Sequence, residues 1–459
     1  MELDVGALRA QFSGSALAPS DQGYEEARAL WNGVIDRRPA AIARCRTEDQ
    51  VAETVGFARA YGVKIAIRGG GHQVAGTGSI DDGLVIDLSE MNEVTVDPDR
   101  RVARVGGGAR LGEVDLATQA HGLAVPLGVV SETGVAGLTL SGGMGHLRRL
   151  YGLSCDNLLS ARVVTAGGTV LTASEDEHAD LLWALRGGGA SVGAVTSFEF
   201  RAHPVGPDVA FCFTLYPAER GTEILRKVDE LVAAGPDEVA PIAFFGRVPE
   251  AEAFPADAIG KSFVAILAPH PGSVEEGERA LGAFRELGEP IVDLSDRSTW
   301  VQVQRLLDED YPSGKRYYWT SVELVGLSVA ALERLWALAE AAPSDLSTID
   351  VWFQGGAMAR VDPQATAFGD RSAPILIGIE ANWEHAGDDE ANIGWARRCK
   401  HELKPFSTGG TYLNFAGFFE EGDEQVRRAV GERNFERLAE VEATYDPDGV
   451  FTARRGRRT

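Results

Sequence analysis

The chain has 459 residues, 44% of them hydrophobic, with 54 glycines and a formal net charge of −24. That length exceeds what one hydrophobic core usually organises, so two domains are expected. The acidity argues against nucleic acid as a partner, because duplex binding needs a basic surface, and no apolar run reaches the roughly 18 residues of a membrane span.

The amino terminus, MELDVGALRAQFSGS, lacks a basic stretch followed by an apolar core, so it does not read as a secretory signal. Cys45, Cys155, Cys212 and Cys399 are widely spaced with no CxxC pair, which points to reduced thiols in a cytoplasmic protein. Lysine is confined to Lys64, Lys227, Lys261, Lys315, Lys400 and Lys404; the other basic residues are arginine. An acidic, lysine-poor surface fits a halophile, since high salt screens its self-repulsion. It also fits a genome whose GC content favours arginine codons; the halophile is the expectation carried forward.

In chain order, residues 20–60 read as helix, loop and helix, with a short strand at 41–45. Thr47 and Gln50 match a capping box for a helix over 49–61. A strand ending in Ile67 then enters Arg68-Gly69-Gly70-Gly71-His72, and an apolar run over 84–88 leaves it. A hairpin over 91–105 and a helix over 111–121 follow. The stretch 125–145 carries glycines at 128, 134, 137, 142, 143 and 145, too many for a helix, and only one charge, Glu132. Backbone this bare implies close approach to a ligand. A hairpin over 161–171, a helix over 179–185, a glycine loop at 187–193 and a strand over 194–201 complete this half.

Beyond Pro204 the texture changes to strands over 209–216, 242–248, 263–268, 316–324, 349–360 and 374–383, with helices over 220–233, 273–287 and 329–340. This is an antiparallel sheet with helices on one face. The tail holds Tyr412-Leu413-Asn414-Phe415, a helix over 423–445 and the arginines 454, 455, 457 and 458.

The familiar nucleotide and metal signatures fail. No GxGxxG follows a first strand, which argues against a Rossmann fold. PADAIGKS (255–262) has proline where a P-loop needs glycine. The eight histidines show no metal-ligand spacing, so no metal is expected. The apolar neighbours of Cys155 fit a buried structural thiol rather than a nucleophile. What remains is four glycine-rich loops in the first 205 residues (69–71, 106–108, 134–145 and 187–193), which describe an elongated cofactor laid across loop backbones. Next to the first loop, Arg68 offers a charge-assisted bond to a phosphate.

The order Arg68-Gly69-Gly70-Gly71-His72, Gly76, Thr133-Gly134-Val135-Ala136-Gly137, Gly142-Gly143-Met144-Gly145, Tyr151-Gly152-Leu153, Cys155-Asp156-Asn157, Trp183 to Gly189, Tyr412-Leu413-Asn414 and Tyr445-Asp446-Pro447 resembles the berberine bridge enzyme-like oxidases. These belong to the vanillyl-alcohol oxidase/p-cresol methylhydroxylase (PCMH) flavoprotein superfamily. The resemblance implies an α+β fold. A two-subdomain PCMH-type FAD-binding domain (1–205) would be joined by a substrate domain with a helix-covered antiparallel sheet (206–405) and a tail returning to the FAD domain (406–459). It assigns FAD contacts to Arg68, Gly69, Gly70, Gly71, His72, Gln73, Gly76, Thr133, Gly134, Gly137, Gly142, Gly145, Tyr151, Asp156, Val195, Tyr412 and Asn414, with His72 covalently joined to the flavin.

Three positions depart from the family pattern. The cysteine that often gives a second flavin link falls at Val130, which leaves His72 as the single tether. The adenine-side loop reads Gly189-Ala190-Ser191-Val192-Gly193, and the tyrosine that often serves as base after the tail asparagine is Phe415.

The implied reaction moves a hydride from a substrate C–H (alcohol, sugar or phenol) to FAD, with O2 reoxidising the cofactor to yield H2O2. The small Thr133 favours access of O2. A dehydrogenase with another acceptor and a flavin-bearing binding protein are the alternatives, and the protein would be a monomer or homodimer. Alternation over 374–383 puts Ile375, Ile377, Ile379, Ala381 and Trp383 toward the helices and Glu380 with Asn382 toward the flavin. Trp352 and Gln354 share a face of their own strand. The catalytic candidates are therefore Glu380 as base, Tyr412 at the flavin, and Tyr318 or Tyr317.

Overall fold

A computed structural model describes residues 3–189, 192–250, 254–415, 417–418 and 422–451. Ala190, Ser191 and the terminal arginines lie outside the described residues. The first half is built on two sheets. In one, Ala41–Arg44, Leu84–Asp87 and Ile65–Arg68 run parallel, with Ser15–Leu17 antiparallel on the outer edge. Parallel neighbours need a crossover. Here it is the loop over 69–83, so the glycine run and His72 occupy the connection between two buried strands.

The second sheet is antiparallel, in the order Val94–Asp97, Val102–Gly106, Ala194–Arg201, Leu158–Val164 and Val170–Ala173. The helix Glu48–Tyr61 packs its Val51, Val55, Phe57 and Ala58 face into the core beneath the parallel sheet, and Thr47 caps it by accepting from the Gln50 amide.

The second half centres on one antiparallel sheet whose middle strands are Ser262–His270, Ile242–Arg247, Thr348–Phe353, Ile375–Trp383 and, at the edge, Arg316–Leu324. Ile375, Ile377, Ile379, Ala381 and Trp383 enter one core with Leu332 and Leu335 of the helix Val329–Glu340 and Trp395 of the helix Asp389–Glu402. The opposite face, with Phe244, Trp319, Trp352 and Leu376, packs against Val130, Met144 and Tyr412. One face of the sheet thus closes on helices and the other on the glycine-rich half. No helix among the described residues is long and apolar enough to cross a membrane.

Local differences from the sequence reading have local causes. Residues Val135–Leu140 form a short helix despite their glycines, because Gly134 starts it in extended geometry and buried Val135, Ala136 and Thr139 hold it. The strand expected over 349–360 ends at Phe353. Gly355 and Gly356, both at positive φ, turn the chain into the helix Ala357–Arg360. The tail helix is two helices, Gly422–Val430 and Glu432–Tyr445, broken at Gly431 with φ +79. The helix Asp389–Glu402 is too polar to show a clear apolar stripe in the sequence.

Candidate active site

A cavity lined by both the glycine loops and the large sheet lies between the two halves. One wall is backbone. A Cβ on Gly70 would stand 2.5 Å from the Gly134 amide nitrogen, and one on Gly134 would stand 2.4 Å from the Gly70 nitrogen. The two loops therefore meet edge to edge with no room for side chains, and their backbones line the cavity with Thr133. Gly137 lines the same wall, and a Cβ there would meet nothing within 4 Å.

His72 sits at the end of this wall, stacked on Trp31 with centroids 4.0 Å apart and an interplanar angle of 18°. Its Nε2 is buried with no hydrogen-bond partner. Burial is the main cause that lowers its pKa to about 3, so the imidazole is neutral. Gln73 also lines the cavity, its side-chain oxygen turned back to accept from the Ala75 amide.

The facing wall comes from the large sheet. Asp350, Trp352 and Glu380 reach the cavity from neighbouring strands, with Trp319, Phe244, Tyr311 and Phe415 around them. Glu380 accepts a hydrogen bond from the Tyr311 hydroxyl at 2.7 Å. Burial raises the Glu380 pKa to about 7, against the lowering effect of the hydrogen bonds to Tyr311 and Asp350. Burial, then the charge of Glu380, holds Asp350 well above the usual carboxylate range. Two such neighbours do not both ionise readily, and they titrate as a pair.

Tyr412 lines the cavity and its hydroxyl oxygen is held by three donors: the Gly143 amide at 3.1 Å, the Met144 amide at 3.0 Å and Asn414 Nδ2 at 2.8 Å. Burial pushes its pKa up to about 12, so it remains a phenol. Asn414 Nδ2 also donates to the Leu138 carbonyl, tying the tail to the helix after Gly134.

Several expected contacts fall elsewhere. Arg68 borders the cavity, with its guanidinium engaged by Asp87 at 2.7 Å and by the Ala27 carbonyl. Tyr318 points to the helix side of its strand, against Phe418 and under Arg397, while its neighbour Trp319 takes the cavity side. Tyr317 stacks on Trp31 from behind.

The remaining expected residues meet protein neighbours outside the cavity lining. Gly76 holds a turn at φ +68 against Ile35, and Gly145 abuts the Leu127 carbonyl. Gly142 packs on Phe368 and Tyr412. Tyr151 stacks on His203, and Asp156 forms a two-pronged ion pair with Arg371 at 2.6 and 2.7 Å. Val195 is buried in the core of the five-stranded sheet. Asn382 accepts from the Trp319 indole instead of reaching the cavity, and the Gln354 carbonyl accepts from Arg149. All four cysteines are unpaired and buried.

A family model for an FAD binding domain matches residues 39–174, and one for berberine and berberine-like proteins matches 411–456. An uncharacterized FAD-linked oxidoreductase of Bacillus subtilis is 31% identical over 96% of each chain. The chain belongs to the berberine bridge enzyme-like FAD-linked oxidoreductases. This oxidoreductase is also 28% identical to (R)-6-hydroxynicotine oxidase of Paenarthrobacter nicotinovorans, over 95% of each chain. The crystal structure of 6-hydroxy-D-nicotine oxidase from Arthrobacter nicotinovorans superposes with a TM-score of 0.85 at 28% identity, covering 96% of both chains. The fold is of the PCMH type, and the cofactor is FAD. The residues present fit that group: a side-chain-free backbone wall, open space at Gly137, and a buried neutral imidazole with a nitrogen that no protein group engages.

Proposed function

We infer that this oxidoreductase is an oxidase of a small organic substrate bearing an alcohol, sugar or phenol group, with FAD tethered through His72 alone and O2 as the electron acceptor. The observation that carries the reading is that one cavity has the glycine backbones and His72 on one wall and the Glu380–Asp350 pair on the other. FAD held there would supply a two-electron acceptor that O2 can reoxidise.

The protein's own groups do the rest. Glu380, as carboxylate, takes the proton that the substrate hydroxyl gives up as its C–H bond is oxidised. Tyr311 holds that carboxylate in place through its hydrogen bond. Asp350, kept protonated by burial and by its charged neighbour, limits the pair to a single negative charge. Phe244, Trp319, Trp352 and Phe415 present apolar surface that orients a ring-bearing substrate and excludes water. Phe415 carries no ionisable group, so the base role falls to the sheet. Val130, with an aliphatic side chain at the cavity wall, offers no second attachment point.

The test is peroxide release under air across a panel of sugars and aromatic alcohols. Peroxide formed in step with substrate consumption supports the reading. Fast dye reduction without peroxide identifies a dehydrogenase, and bound flavin with no turnover identifies a binding protein.

A further inference from the structure

Trp31 does not line the cavity, yet it is built into the structure from every side. Its ring lies between His72, at 4.0 Å and 18°, and Tyr317, at 3.7 Å and 11°, so three flat rings are stacked in sequence. Its indole Nε1 donates to the Tyr311 carbonyl at 2.9 Å, its backbone N–H donates to the Gly71 carbonyl at 3.2 Å, and its carbonyl accepts from the Gly314 amide at 2.9 Å. The next residue continues the clamp: Asn32 Nδ2 donates to the Val74 carbonyl at 2.7 Å and the Tyr317 carbonyl at 2.9 Å, while its Oδ1 accepts from the Tyr317 amide. The pair Trp31–Asn32 thus grips the loop on both sides of His72, at Gly71 and at Val74, and fastens it to the segment that carries Tyr311 and Tyr317.

An imidazole is commonly oriented by a hydrogen bond to one of its nitrogens. Here Nε2 has no such partner and is buried. Beside a hydrogen bond with its own backbone, the ring is held by face-to-face contact with an indole whose own N–H is bonded and whose far face is covered. The stacking leaves Nε2 without a hydrogen-bond partner, on a residue that lines the cavity.

We propose that Trp31 is the positioning residue for covalent attachment of FAD, holding the His72 ring so that Nε2 faces the C8 methyl group of the bound cofactor. This rests on the reading that His72 is the tether. In the attachment, an N–C bond forms between Nε2 and the methyl carbon while one methyl C–H and the imidazole N–H break. The two protons and two electrons pass to the ring system of the cofactor, and O2 removes both as one H2O2 per tether. Trp31 takes no part in that transfer; it fixes the approach.

The full-length protein, produced with limiting riboflavin, is incubated with FAD in air, and total bound flavin and acid-stable flavin are followed separately. Wild type is expected to convert its bound FAD to the acid-stable form. Trp31→Leu is expected to bind FAD but attach it on the order of 10- to 100-fold more slowly, the loss typical of a misaligned reacting atom. Trp31→Phe, which keeps a flat ring, restores most of the rate. Tyr317→Leu, which uncovers the far face of the indole, slows attachment without loss of binding, and gives a second reading should Trp31→Leu not fold. Attachment at the wild-type rate in Trp31→Leu, or in Tyr317→Leu if that is the variant read, overturns the role of Trp31 alone. Wild-type flavin that is never acid-stable overturns the His72 tether instead.

Discussion

The Tyr311 hydroxyl donates to Glu380 at 2.7 Å inside the cavity, and both groups are buried. The Tyr311 pKa lies well above its ordinary value because of burial, so it remains a donor across the working pH range. Glu380, raised to about 7, is a base only when deprotonated. We therefore expect kcat/KM to rise with pH through about 7. Glu380→Gln should abolish that limb and lower kcat by about 10²–10⁴-fold, the usual contribution of a positioned base. A pH–rate profile of both proteins checks this.

The same shift has a stability consequence of defined sign. A carboxyl whose folded pKa exceeds its unfolded value binds protons more tightly when folded. Its contribution to stability is then lost as pH rises from the ordinary glutamate range through about 7. Glu380→Gln removes that dependence. The Tm of the variant relative to wild type should be more favourable at pH 8 than at pH 5, as measured by thermal unfolding of both proteins at each pH. An offset equal at the two pH values would contradict the burial of an ionising Glu380.

Tyr412→Phe leaves the Gly143 and Met144 amides and Asn414 Nδ2 without their acceptor. Unsatisfied buried donors cost about 1–3 kcal/mol each, so with three of them the variant should be less stable by at least about 3 kcal/mol in denaturant unfolding. Because the phenol stays protonated up to about pH 12, the pH limb near 7 should survive in the residual activity. Disappearance of that limb would move the base from Glu380 to Tyr412.

Val130 borders the cavity, at the position where the sequence resemblance expects the second-link cysteine. Val130→Cys should create a second tether. The double variant His72→Ala/Val130→Cys is expected to retain acid-stable flavin that His72→Ala alone loses, with the cofactor on the peptide carrying residue 130 by mass spectrometry.

What was legible in the sequence followed from strand alternation and loop composition. The period of two over 375–383 sent the isoleucines to the helices and Glu380 to the cavity. Over 316–324 the sequence left Tyr317 and Tyr318 as alternatives; Tyr317 and Trp319 take the face toward the cavity half, and Tyr318 falls on the helix side. Asp350 was legible by stepping back two residues from Trp352, a step the apolar strand around it did not prompt. Arg68 looked like an anion ligand by its place beside the glycines, but Asp87 stands directly opposite it on the parallel neighbour and claims its charge. Tyr311 and Trp31 lie outside any strand or regular helix, where no periodicity marks a functional side chain. Their roles come only from long-range contacts.

The claim on which the rest depends is that one histidine holds the cofactor. Acid precipitation of the purified protein, followed by washing of the pellet, tests it most directly. The flavin colour should stay with the wild-type pellet and leave the His72→Ala pellet entirely. Wild-type flavin that washes free, or His72→Ala flavin that remains bound, would contradict the account.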